Sequence, residues 1–392
     1  MFEKEIEEGK AEEGIEKDDG CMKLGILCTM INGFGKRGFY NTQEVGLGRA
    51  LVNKGYTVVI YKCVRKEKDR QTEKVEIVPG LTILYLPTGG LGIHGYLASE
   101  KLEKDMDGLL CFSDNQIFMP HIFRFCKKNR IPIVPYIGIT HSLHKGVQGK
   151  LINTLFRLGT LRFYKKIPVI AKTEAADRQL RVLGVNDISV APVGLDISVL
   201  KSDFKKYDKT GLRAEYGMEA DAVLLCSITQ MTSSKRPLDM VEIFHRIRGK
   251  KKFRLLLVGD GPLREKVEDK IAFYGLTGEI KIINRVPYSE IWKIYAMSDY
   301  FINLNRNEIF GMAVMEAVYY ETSAVAFRTA PGPSMTLKGM KGHCLCEDDR
   351  QVEEWLTAPY PSEKDLEESS EKGIRRFSWD RCADTFVEIV NK

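Results

Sequence analysis

Two carboxylates eight positions apart, Glu308 and Glu316, bracket the stretch of this chain best suited to hold a polar ligand. Asn307-Glu308-Ile309-Phe310-Gly311-Met312 follows an apolar run at 300–304 and opens an amphipathic segment at 312–320. That pattern predicts a strand, a turn and a helix. The first amides of a helix have no intrahelical partner, so Phe310, Gly311 and Met312 would offer N–H groups to an anion or to hydroxyls. Gly311 lets the backbone approach a ligand closely. Val314 and Glu316 follow on the helix, and Glu316 stands beside Ala317 and Val318, an unusual setting for a merely structural carboxylate. The plainer alternative makes Glu308 a helix cap and Glu316 half of a surface ion pair.

These residues need a scaffold, and the apolar pattern supplies one. Short continuous apolar runs at 24–28, 57–61, 81–86, 108–112, 131–137 and 169–171 read as strands, with helical stretches such as 42–54 and 119–129 between them. A second series follows at 222–228, 253–258, 280–283, 300–304 and 324–327, with helices near 237–248, 263–274, 289–297 and 312–320. Continuous apolar strands separated by amphipathic helices predict parallel sheets covered on both faces. A Lys- and Asp-rich stretch at 201–209 divides the series. The fold class is therefore α/β, two doubly wound Rossmann-like domains (22–200 and 201–375) facing across a cleft, with ligands at the carboxyl ends of the strands.

The first half has its own rim candidates. The loop Asn32-Gly33-Phe34-Gly35-Lys36-Arg37-Gly38 joins the first strand to a helix. Its glycines admit a phosphate and its two cations add charge, although such loops also serve as tight turns. His141 and His144 follow one strand end, and Asp114 follows another, where it would orient an acceptor. Asp105-Met106-Asp107 precedes a strand, as a loop should, and is read as structural rather than as a metal pair.

The 392 residues are 44% hydrophobic and 29% charged, an ordinary soluble composition that excludes collagen, coiled coil and wholesale disorder. No apolar run approaches the ~20 residues that span a bilayer. Residues 1–21 hold nine acidic and three basic side chains and read as a disordered extension. That segment carries −6, so against a total of +6 the remainder carries +12, a charge suited to phosphate-bearing partners. The nine cysteines are scattered and mostly set in apolar runs, which implies reduced thiols and a cytoplasmic protein; Cys344-Leu345-Cys346 lacks a second pair at zinc-site spacing. The acidic start has no secretory pattern. No nucleic-acid motif is present, and the basic residues do not interleave with aromatics. Residues 145–166 hold six basic and no acidic side chains, with Val147, Leu151, Leu155 and Leu158 at helical spacing. Such a segment suits peripheral contact with the inner face of an anionic membrane, or a helix packed on its own sheet with a solvated basic face.

From Glu308 to Glu316 the chain resembles the Glu-x7-Glu signature of family-4 retaining glycosyltransferases, which have the GT-B fold. Residues 255–266, 282–292 and 298–305 are similar to the family's preceding elements, 169–180 with 191–196 to the end of its first domain, and 377–381 to the start of a terminal helix that crosses back to that domain. The resemblance implies a hexosyltransferase that needs no metal and no cofactor beyond a nucleotide-sugar co-substrate, UDP-linked first and GDP-mannose second. The acceptor would be a saccharide or lipid-linked hydroxyl in cell-envelope synthesis. It implies that Glu316 binds ribose, that Glu308 and the amides of Phe310, Gly311 and Met312 hold the hexose, and that backbone near Val314 approaches the diphosphate. Arg285 and Val286 would face the base, Gly38 and Gly35 the donor, and His141, with His144 second, the sugar and acceptor. Lys235 matches the family lysine that neutralises the leaving diphosphate, where a fixed cation acts most strongly in a dry cleft. The family's arginine five or six residues earlier is absent: Gln230 and Thr229 stand there, which leaves Arg236, or another cation from across the cleft, to substitute. That departure sustains an alternative, a weakened GT-B protein that binds a nucleotide sugar or assists a partner transferase. An epimerase or a phosphorylase is a more distant reading.

Overall fold

The computed structural model describes residues 21–31, 42–67, 70–142 and 146–392. The acidic stretch 1–20, the loop residues Gly33, Gly35, Lys36, Arg37 and Gly38, and His144 lie outside the described residues.

Fifteen strands are described: β1 (Lys23–Cys28), β2 (Thr57–Arg65), β3 (Glu73–Val78), β4 (Leu81–Leu91), β5 (His94–Tyr96), β6 (Gly108–Phe112), β7 (Ile133–Ile137), β8 (Val169–Ala171), β9 (Ile188–Val190), β10 (Val223–Ile228), β11 (Phe253–Val258), β12 (Ile280–Ile283), β13 (Tyr300–Asn303), β14 (Ser323–Phe327) and β15 (Cys344–Cys346). The first sheet runs β3-β4-β2-β1-β6-β7-β8-β9, with β5 attached to β4. The second runs β12-β11-β10-β13-β14-β15 and is parallel throughout. In each sheet the order reverses beside its first strand, at β1/β6 and at β10/β13. Connections leave to opposite sides there and open a crevice at the carboxyl ends.

The strands are apolar without alternation because both faces are covered. Leu24 and Ile26 of β1 point into one hydrophobic cluster and Leu27 into another. Four strands escape the sequence pattern. β3 is an antiparallel edge rich in Glu and Lys, and β5, β9 and β15 have only three residues each, too short for periodicity to register.

The terminal helix Asp380–Val390 lies against the first domain, where a methyl on Gly108 would sit 2.6 Å from Val390 Cγ2. Its lead-in is bolted down: Leu195 N–H donates to Phe377 O at 2.6 Å, and Trp379 fills the space over Gly46 and Gly194. A methyl on Gly194 would stand 2.4 Å from the Trp379 backbone nitrogen, which has no side-chain freedom to yield. Gly194→Ala should therefore destabilise the fold by about 1–3 kcal/mol. Scanning calorimetry checks this, and an unchanged melting temperature would contradict the close packing of the crossing.

Asp105 and Asp107 sit at the amino end of the first sheet. Asp107 accepts from Lys23 N–H at 2.7 Å, and Asp105 pairs with Lys23 Nζ at 3.0 Å. The helix Gly146–Leu158 forms as expected, but it buries Gly149, Ile152 and Phe156. The aliphatic residues picked out by spacing, Val147, Leu151, Leu155 and Leu158, face outward.

Candidate functional site

β10 and β13 are neighbours at the reversal point of the second sheet, and the loops that leave them meet. After β10 the chain passes through Thr229 and Gln230 to a 3-10 turn, Ser233–Lys235. After β13 it passes through Asn305 to Glu308. Lys235 Nζ donates to Glu308 Oε2 at 2.5 Å, an ion pair joining the two loops across the crevice. Asn305 Nδ2 donates to the same oxygen at 3.0 Å. Both side chains of the pair are only partly covered, so the charges stay open to a ligand.

The Glu308 loop is built from successive turns. Asn303 Oδ1 accepts from Asn305 N–H at 3.0 Å, and Asn305 Oδ1 accepts from Asn307 N–H at 3.1 Å. Asparagine makes such two-residue turns readily. Asn305 is buried and orients Glu308, a role sequence reasoning missed, although the alternation of asparagines at 303, 305 and 307 was there to read. Gly332 N–H donates to Glu308 O at 2.9 Å and packs on the Phe310 backbone.

Gly311 caps the helix Met312–Tyr319 with φ +78°, a left-handed conformation that favours glycine. The cap is backbone only, so Glu308 is not the helix cap; its carboxylate is turned to Lys235. Phe310 is buried and Met312 half-buried. Val314 is fully buried and its N–H already donates to Gly311 O at 2.9 Å. The Val314 amide is therefore engaged, which leaves the turn before it to meet a ligand.

Glu316 is not a surface residue. It is buried, and its two oxygens accept from Tyr288 Oη at 3.0 Å and Tyr295 Oη at 2.8 Å. Burial pushes its carboxyl up from 4.5 to about 7, although the two hydroxyls pull the other way. Between the two values the folded state holds a proton that the unfolded state has released, so stability falls as pH rises from about 4.5 to about 7. The full difference is ~3 kcal/mol. Glu316→Gln should melt with the parent near pH 4 and above it at pH 8. A gap that does not widen with pH would contradict a raised Glu316.

Arg236 does not stand in for the absent arginine. Its guanidinium is bidentate to Asp349, at 3.0 and 2.8 Å, and its Nε donates to Asp239 at 2.7 Å, so every donor nitrogen is committed. Gln230 is exposed, Arg285 is exposed and Val286 is half-buried beyond β12.

The first domain contributes a rim. Asp114, at φ +33°, accepts from Gly138 N–H at 2.6 Å and Ile139 N–H at 3.2 Å, and pairs with Lys172 Nζ at 3.3 Å. Its carboxylate thus holds the loop that carries exposed His141, rather than pointing free toward an acceptor. Lys172 is buried, lies over the rings of Phe112 and Tyr136, and was not singled out from sequence; a lysine ending an otherwise apolar strand was the available signal. A methyl on Gly138 would lie 3.0 Å from Lys172 Cδ and 3.2 Å from Ile309 Cγ2, so this rim closes on the residue after Glu308.

Comparison with known proteins bears on the fold and on the second half of the chain. Residues 208–371 match the family model for glycosyl transferases group 1. N-acetyl-alpha-D-glucosaminyl L-malate synthase of Bacillus anthracis is 29% identical over 151 residues, 36% of this chain and 36% of that one, so the chain spans only about a third of that relative's length. A D-inositol 3-phosphate glycosyltransferase of Saccharomonospora viridis is 21% identical over 386 residues, 87% of this chain and 86% of its own. Among solved structures, Anabaena Alr3699/HepE in complex with UDP superposes with a TM-score of 0.67 at 14% identity, covering 94% of this chain and 100% of that one. The second half of the chain is thus similar to glycosyl transferases group 1, and the fold is GT-B.

Proposed function

We propose that the protein is a retaining hexosyltransferase that moves a sugar from a nucleotide diphosphate donor to an acceptor hydroxyl without a metal ion. The observation that carries this reading is the Lys235–Glu308 pair at the reversal point of the second sheet, beside the glycine-capped helix. Donor binding would part the pair. Glu308 and the turn amides take the hexose hydroxyls, and Lys235 turns to the diphosphate. Ribose hydroxyls use the lone pairs of Glu316 that the two tyrosines leave open. Arg285 and Val286 border the base, and His141 meets the sugar from the opposite rim. Departure of the diphosphate builds negative charge, which a fixed ammonium stabilises in a closed cleft, and the departing phosphate takes the acceptor proton in a front-face attack. UDP sugars are the favoured donors, in keeping with the UDP held by the Anabaena structure, and GDP-mannose follows. An acceptor in cell-envelope polysaccharide or glycolipid synthesis fits the basic first domain.

A second reading, a donor-binding protein without turnover, draws on one observation: Gln230 is neutral and exposed, and Arg236 is committed elsewhere. Incubation with a panel of nucleotide sugars separates the two. Slow donor hydrolysis that survives a chelator and disappears in Lys235→Ala supports the enzyme; tight binding with no cleavage supports the binder.

A further inference from the structure

We infer that the face of the first domain formed by the helices Pro120–Asn129 and Gly146–Leu158 docks on an anionic lipid bilayer. The surface lies outside the cleft, so the inference goes beyond the transferase reading and does not need it.

Three observations converge. The first is an unpartnered aliphatic ridge. Val147, Leu151, Leu155 and Leu158 are 84%, 55%, 41% and 62% exposed along one helix, while Ile152 and Phe156 anchor its other side in the core. Large aliphatic side chains so exposed on contiguous turns mark an interaction surface. The second is continuity with another exposed apolar feature, the hairpin tip between β4 and β5, where Leu91, Ile93 and Tyr96 face outward. Tyr96 stacks on His121 at 4.6 Å, and the neighbouring Pro120 lies 3.6 Å from where a methyl on Gly159 would sit, just past the ridge. The hairpin and the ridge therefore flank the same helix start.

The third observation is charge, and it selects the partner. From 115 to 173 the chain has eleven Lys and Arg and no Asp or Glu. Nine of these cations, on and after the two helices, are exposed: Arg124, Lys127, Lys128, Arg130, Lys150, Arg157, Arg162, Lys165 and Lys166. None of the nine has an ion-pair partner among the described residues, although most exposed cations of the second domain do. A basic face with an aliphatic crest matches a bilayer with anionic headgroups: the crest enters the acyl boundary and the cations meet the phosphates. Nucleic acid would be met by aromatic platforms, and here the crest is aliphatic. The same helix supports the cleft rim, since Asn153 Oδ1 accepts from Ser142 N–H at 2.7 Å, next to His141. If the transferase reading holds, docking would place the acceptor side of the cleft at the leaflet.

The test is sedimentation of the full chain with vesicles of phosphatidylcholine alone and of phosphatidylcholine with phosphatidylglycerol. Binding to the anionic vesicles alone is expected, weakened by salt. Leu151→Asp with Leu155→Asp, and separately Lys165→Glu with Lys166→Glu, should each weaken it at least about tenfold. All four positions are exposed, and an unchanged melting temperature confirms folding of both variants. No binding to anionic vesicles, equal binding to neutral ones, or full binding by the Leu151/Leu155 variant would overturn the inference. So would RNA binding in place of vesicle binding. Donor hydrolysis in detergent-free buffer reads the cleft separately and should be the same in both variants.

Discussion

On the transferase reading, Lys235→Ala should lower the rate of sugar transfer about 10²–10³-fold, the cost of removing one fixed group that meets charge developing in a transition state. The effect is large because neither Arg236 nor Lys172 is free to replace it. Arg236 is bidentate to Asp349, and Lys172 is buried against Asp114. Binding of UDP suffers less, since a partly solvated ammonium beside a phosphate contributes only about 1 kcal/mol to a ground-state complex. The expected signature is a fall in kcat with a dissociation constant for UDP raised less than about tenfold. Retention of the parent rate within about threefold would show that Lys235 does not serve the leaving group.

The second large effect is on stability. Arg213 is buried, and each of its guanidinium nitrogens donates. Nε bonds Met297 O at 2.9 Å, Nη1 bonds Ala220 O and Ala222 O, and Nη2 bonds Asp299 Oδ2 at 2.7 Å. Asp299 also accepts from Lys209 Nζ at 2.6 Å and Leu224 N–H at 2.7 Å, tying the helix Lys209–Glu215 to the start of β10 and β13. Asp299→Ala leaves a buried guanidinium without its counter-charge, which costs about 3–5 kcal/mol. For a domain of this size the melting temperature should drop by roughly 10 °C. The cluster lies at the amino end of the strands, opposite the crevice, so donor binding by the variant at low temperature should match the parent. A drop of only a degree or two would mean that water replaces the carboxylate.

What sequence could reveal follows from the range of its signals. Strands buried on both faces announce themselves by continuous apolar character, and β1, β10, β11 and β14 lie where that pattern put them. The turn at Gly311 was legible because a glycine before an amphipathic run has few other uses. The carboxylate pair was legible as residues but not as geometry. Nothing local says that Glu316 meets two tyrosines 28 and 21 positions earlier. Arg236 illustrates the limit most clearly, since the aspartate that claims it lies 113 residues away. Contacts across the crevice, such as Ile309 against Gly138, depend on how two separately folded sheets face one another. The orientation of the Gly146–Leu158 helix stayed open between two readings, because its outward and inward residues are both apolar and spacing alone cannot rank them.

The most direct test of the central claim is a crystal structure with an intact nucleotide diphosphate sugar, obtained with UDP-glucose and, if that fails to bind, GDP-mannose. The diphosphate should lie within hydrogen-bond reach of Lys235 Nζ, with the Lys235–Glu308 contact parted, the hexose on Glu308 and the Gly311 turn, and the ribose on Glu316. A nucleotide bound elsewhere, or a crevice that stays shut with the ion pair intact under saturating ligand, would contradict the account.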